Sequence, residues 1–187
     1  MNKEDIEKSL KILRSGGVIL YPTDTIWGIG CDATNAEAVE RIYGIKRRAE
    51  TRAMLALVNS CAMLAEYVEN IPVSAKELID KAERPLTLIY PNAKNLAANL
   101  IAEDGSIGIR IVNEPFCRQL IEAFGKPLVS TSANISGSLT PAIFDEISEE
   151  IRSAVDYIVR WRQDDRKPAT PSSIIKLNID GSYIIIR

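Results

Sequence analysis

Residues 126–137 read KPLVSTSANISG. Behind Pro127, Leu128 and Val129 open an apolar run of strand length, and the chain then fills with Ser130, Thr131, Ser132, Asn134 and Ser136. A plain turn needs one or two hydrogen-bonding side chains; this segment supplies many more. A buried strand running straight into hydroxyls and an amide suggests a ligand site at its carboxyl end, where open α/β sheets bind their ligands. Ser132 and Asn134 offer groups suited to a ribose, a base edge or a phosphate oxygen. The competing reading is a local side-chain turn plus a helix cap, which would use only some of these groups.

Outward from this segment, strands and helices alternate. Ile6, Leu10 and Leu13 mark one face of a helix that Gly16-Gly17 closes. Val18 to Tyr21 reads as a strand stopped by Pro22. TNAE (Thr34 to Glu37) reads as a capping box opening a helix, and SAKE (Ser74 to Glu77) as a second. Met54 to Val58, Leu86 to Tyr90, Ser106 to Val112 and Tyr157 to Val159 read as strands. Pro115 to Phe124 and Ile143 to Ile151 read as helices. Ser173 to Leu177 and Tyr183 to Ile186 flank Asp180-Gly181 as a terminal hairpin. The alternation predicts an α/β fold with a mixed sheet, in one domain over residues 1–187. Arg160 to Pro171 is polar and rich in loop formers, so it is either a mobile lid or a long surface loop.

Three further patches carry candidate chemistry. In Tyr21 to Asn35, Thr23, Asp24 and Thr25 follow a strand, Trp27 supplies a flat wall, and Gly28 and Gly30 permit close backbone approach. In Ile45 to Met54, Lys46, Arg47, Arg48 and Arg52 concentrate positive charge. If Lys46-x-Arg48 is extended, both point the same way, a point charge beside a bidentate fork that suits phosphate or carboxylate. The alternative is a solvated helix end, where cations favour the macrodipole. In Ser106 to Ile111, alternation puts Ser106, Gly108 and Arg110 on one face and three isoleucines on the other.

Composition narrows the classes. The chain has no histidine. The usual neutral-pH base, the usual zinc ligand and a Ser-His-Asp triad are therefore excluded. Net charge is −2, which argues against a broad basic surface. Cys31, Cys61 and Cys117 are widely spaced, so buried free thiols in a reducing compartment are expected. The charged N-terminus and the lack of a long apolar run predict a cytoplasmic protein without membrane contact. There is no GxxxxGK[ST], and no GxGxxG after a strand; a nucleotide would have to be held by Lys/Arg charge and side-chain hydroxyls.

GGVILYPTDTIWGIGCDATN, Lys46-x-Arg48, PLTLIYP, GIRI, PLVSTSANISG and PSSIIKL together resemble the YrdC-like family in order and spacing. The resemblance runs from about Gly16 to Leu177. It implies a twisted mixed sheet with flanking helices around a concave basic cavity, and no C-terminal extension domain. The implied activity is L-threonylcarbamoyladenylate synthesis from L-threonine, bicarbonate and ATP, with Mg2+ on the triphosphate. The product would pass to a tRNA threonylcarbamoyl transferase acting on adenosine 37, with weak tRNA binding by the synthase itself. By the same resemblance Lys46 and Arg48 are catalytic. Thr23 and Thr25 lie beside threonine and bicarbonate. Thr87, Arg110, Ser132, Asn134, Ser172 and Ser173 join Lys46 and Arg48 around the nucleotide. No protein metal ligands are implied. The family usually has Pro where this chain has Ala49 and Val112, and Asp-Gly-Gly in the late loop. The alternatives are an RNA-binding module of this fold and a nucleotide-binding paralogue without catalysis.

Overall fold

In a computed structural model, residues 3–47 and 54–187 are described. In chain order the elements are α1 (Lys3–Arg14), β1 (Ile19–Tyr21), β2 (Gly28–Gly30), α2 (Ala36–Lys46), β3 (Leu55–Val58), α3 (Cys61–Tyr67), α4 (Val73–Lys81) and β4 (Leu86–Tyr90). Then follow β5 (Ile107–Ile111), α5 (Pro115–Phe124), β6 (Leu128–Ser132), α6 (Glu149–Ala154), β7 (Tyr157–Ile158), β8 (Ser173–Leu177) and β9 (Tyr183–Ile185). Among the described residues the strands form one mixed sheet, ordered β7-β1-β2-β6-β3-β5-β4-β8-β9. β6 is bonded antiparallel on both edges, to β2 and to β3. The expected α/β architecture is therefore present, with the opening segment well inside it.

Alternation along the strands sorts side chains between two cores. Leu20, Ile29, Ala56, Val58, Leu88, Tyr90 and Val129 face one side, under Ile42, Tyr43 and Leu64 of α2 and α3. Ile19, Tyr21, Leu57 and Leu128 face the other, under Leu13 of α1 and Phe116, Leu120 and Ile121 of α5. Those helices cover only part of the second face. Further along the same strands it turns polar, and there the cavity lies.

Several local expectations are corrected. β2 was not anticipated: Gly28-Ile29-Gly30 has a single large side chain and no alternation to read. Gly30 is required by packing, since a Cβ there would sit 2.3 Å from the Val129 carbonyl and 2.6 Å from the Tyr21 ring. The cap of α2 is Asn35, whose side chain accepts from Ala38 N–H at 3.1 Å; Thr34 instead donates to Asp32. Ser74 does not cap α4, which begins behind Pro72 without a side-chain cap. The helix expected over 143–151 is broken, because Ser148 caps a separate α6. Cys61 is exposed, against expectation; Cys31 and Cys117 are buried, and burial pushes both thiols up, so they stay protonated.

Asp156 ties two elements together. It accepts from Val18 N–H at 2.7 Å, at the start of β1, and holds both ends of the Arg41 guanidinium on α2. The Arg41 hydrogen bonds hold its carboxyl below the ordinary value, so it favours folding above about pH 4 and loses that effect as pH falls further. Asp156→Asn should lower the urea midpoint at pH 7, with the gap to wild type closing under acid. Gly30→Ala should cost about 3 kcal/mol. Gly44→Ala, in α2 with open space around it, should gain about 1 kcal/mol in the same urea titrations.

Candidate functional site

The polar part of the second sheet face forms a cavity of about 350 Å³. Its floor follows from strand register. Ser130 of β6 lies opposite Leu55 of β3, Leu55 opposite Gly108 of β5, and Gly108 opposite Ile89 of β4. Four strands thus present one row, low in the middle because Gly108 has no side chain. A Cβ at Gly108 would stand 3.4 Å from Thr87 Cγ2 and 3.5 Å from Leu55 Cβ; the protein would tolerate it, but the floor would rise into the ligand space.

Around this floor stand Thr25, Trp27, Thr87, Ser106, Arg110, Ser132, Thr140, Ser172 and Arg187. Among the described residues no Asp or Glu lines the cavity, whereas two arginines and many hydroxyl-bearing residues do. Such a lining favours anions. Thr87 and Ser172 hydroxyls lie 2.8 Å apart, joining β4 to the segment before β8, and Arg187 Nε donates to the Ser172 carbonyl at 3.1 Å. Thr25, Thr87, Arg110, Ser132 and Ser172 are therefore brought together as the sequence suggested. Ser173, paired with Leu86 on β8, is not in the lining. Ser130, Thr140 and Arg187 line the cavity without having been singled out; Ser130 sat in the opening segment, while no local pattern marked the other two.

Thr23 stands one layer behind. Its hydroxyl donates to the Ile26 carbonyl at 2.8 Å and accepts from Thr25 N–H at 3.0 Å. Its one proton being used, the 3.0 Å contact with the Thr25 hydroxyl must run from Thr25 to Thr23. Thr25 in turn accepts from Arg110 Nη2 at 3.3 Å. One directed chain therefore leads from the Arg110 guanidinium through two hydroxyls to a backbone carbonyl.

The late loop is bonded to the body of the fold at several points. Asp5, buried on α1, accepts from Tyr157 Oη and from the N–H groups of Arg160 and Trp161. Glu114 accepts from Trp161 Nε1 at 2.9 Å. Arg162 donates to the Thr23 carbonyl at 2.9 Å, and Arg166 pairs with Asp145. Pro171 and Ser172, at the loop's end, reach the cavity.

Lys46 is the last residue of α2, so Lys46-x-Arg48 does not begin extended; Arg47 takes a left-handed cap conformation, with φ 49°. Arg48 and Arg52 lie outside the described residues. Lys46 is 1% exposed. Its ammonium donates to the Ser132 and Asn134 carbonyls at 2.5 and 2.7 Å, and its own carbonyl accepts from Ser136 N–H. The opening segment is thus wrapped around Lys46. Asn134 donates to the Ile135 and Ser138 carbonyls, leaving its Oδ1 buried without a partner among the described residues. Lys46→Met should lower stability by about 2 kcal/mol. It should also speed amide exchange across residues 132–137 while leaving α5 protected.

Known proteins resemble this chain in sequence and in fold. The Sua5/YciO/YrdC family model, described as "Telomere recombination", matches residues 11–187. Threonylcarbamoyl-AMP synthase of Pseudoalteromonas translucida is 34% identical over 84% of this chain and 86% of its own length. The enzyme of the same name from Vibrio campbellii is 30% identical over 89% of this chain and 92% of its own. The crystal structure of P. abyssi Sua5 complexed with L-threonine superposes with a TM-score of 0.88 at 23% identity, covering 100% of this chain but only 54% of that one. On this match of sequence and fold, the chain belongs to the Sua5/YciO/YrdC family.

Proposed function

We propose that this chain makes threonylcarbamoyl-AMP and pyrophosphate from L-threonine, bicarbonate and ATP. The observation that carries the reading is the cavity, lined by no described Asp or Glu, in which Arg110 and Arg187 stand among the hydroxyls of Thr25, Thr87, Ser132 and Ser172. The threonine amine adds to bicarbonate with loss of water, giving a carbamate. A carbamate oxygen then attacks the α-phosphorus of ATP, and pyrophosphate leaves. The reacting partners are anionic, so the protein's task is to gather negative charge and stabilise its spread in the transition state.

In this reading Thr87, Arg110, Ser132 and Ser172 serve the nucleotide end, while Thr25, backed by Thr23, faces threonine and bicarbonate. Lys46 holds the turn that carries Ser132 and Asn134, and Lys46 and Arg48 supply the catalytic charge next to it. Mg2+ would arrive on the phosphate oxygens of ATP, since the described lining offers hydroxyls and no Asp or Glu to bind it. The product would go to a transferase that modifies adenosine 37 of tRNA, in the cytoplasm, with weak tRNA contact by the synthase itself.

The test is pyrophosphate release from ATP at fixed magnesium. Release should require L-threonine and bicarbonate together, and leaving out either should abolish it. Release indifferent to threonine, or none despite saturating substrates, would sink the reading.

A further inference from the structure

Arg110 lies at the centre of the cavity wall and is 3% exposed. A buried guanidinium needs compensation, and its orientation decides which of its five N–H groups meet a ligand. Asp24 supplies the opposite charge. Its Oδ1 lies 3.1 Å from Arg110 Nε as an ion pair, without a hydrogen bond between the two atoms, and its side chain is only 11% exposed. Asp24 Oδ2 accepts from Asn113 N–H at 3.2 Å, which pins the carboxylate to the segment leaving β5. Asp24 does not line the cavity that Arg110 lines; it borders a separate hollow, with Asn113, Ile109 and Ile111. It therefore touches the guanidinium from behind.

Thr25 accepts from Nη2 at 3.3 Å. Among the described residues nothing accepts from Nη1. We infer that Asp24 is a positioning residue: its charge holds the Arg110 guanidinium from outside the cavity and leaves Nη1 for an anionic group inside it. The inference rests on the nucleotide reading above and assigns the aim of its central cation. Asp24 also lowers the positive potential felt by a bound anion, because a carboxylate 3.1 Å from Nε offsets much of the guanidinium charge in a poorly solvated site. The two effects oppose each other: without the carboxylate, anions should bind more tightly and react more slowly.

A double-mutant cycle separates this role from a structural one. ATP binding by calorimetry and pyrophosphate release are measured for wild type, Asp24→Asn, Arg110→Gln and the double variant. Asp24→Glu serves as the conservative rescue, and thermal unfolding reports folding for each. Asp24→Asn should bind ATP at least threefold more tightly and turn over at least tenfold more slowly. Both effects should vanish in the Arg110→Gln background, and Asp24→Glu should recover part of the turnover. Parallel losses of affinity and turnover in both backgrounds would mean that Asp24 only supports the fold, and would overturn the inference. So would an Asp24→Asn protein matching a wild type that binds and turns over ATP. A wild type that binds no ATP would overturn the nucleotide reading and this role with it, a result distinct from the other two.

Discussion

The ammonium of Lys46, sunk between the Ser132 and Asn134 carbonyls, is the contact on which the site depends. Burying a charge costs several kcal/mol unless it is well bonded. Two short charge-assisted hydrogen bonds to carbonyls offset that cost. Both carbonyls reach the ammonium only where the turn closes around it and keeps them converging. The turn in turn needs the lysine, because two inward carbonyls without a donor would be left unsatisfied. End of helix, end of strand and hydroxyl-rich turn are thus one unit. With its carbonyls engaged, the segment presents side chains, and not bare backbone, to the cavity.

The second constraint is the division of one sheet face. Leu128 and Ser130 point the same way along β6, as do Leu57 and Leu55 along β3, and Arg110 and Gly108 along β5. Toward one end these positions pack under α1 and α5; toward the other they are open and polar. Strand alternation cannot distinguish the two halves, since both have the same parity. What divides them is how far the helices reach. The low point at Gly108 sits just past that edge, which is why a small residue inside an isoleucine-rich strand marks the site rather than weakening the sheet.

This explains what could be read in the chain beforehand. β6 and α5 were legible because long apolar runs with sharp ends leave few alternatives, and Ser106, Gly108 and Arg110 fell on one face as their alternation required. β2 was not legible, because Gly28 and Gly30 are chosen by contact with Tyr21, Val129 and Ser130, which lie outside their own segment. Asn35 displaced Thr34 as a cap because Asp32 claims the threonine hydroxyl. Arg187 reaches the cavity only because β9 folds back beside β8. The local chemistry of residues such as Ser132 and Arg110 was apparent in sequence; its partners, Asp24 behind the guanidinium and two carbonyls around Lys46, were tertiary facts.

The cavity's chemistry follows from those partners. Arg110 is compensated from behind by Asp24, so the lining keeps a guanidinium without a described Asp or Glu in reach of the ligand. Lys46 is engaged by carbonyls outside the cavity lining, so it acts on the cavity through the turn it rigidifies. The hydroxyl chain from Thr25 to Ile26 runs in one direction, which leaves Thr25 Oγ1 an acceptor toward the guanidinium. A glycine-rich loop grips phosphate with backbone N–H groups and a helix dipole. In the function proposed here, fixed side chains on four strands would do the same work. Their aim depends on sheet register rather than loop conformation, and register is the more rigid of the two.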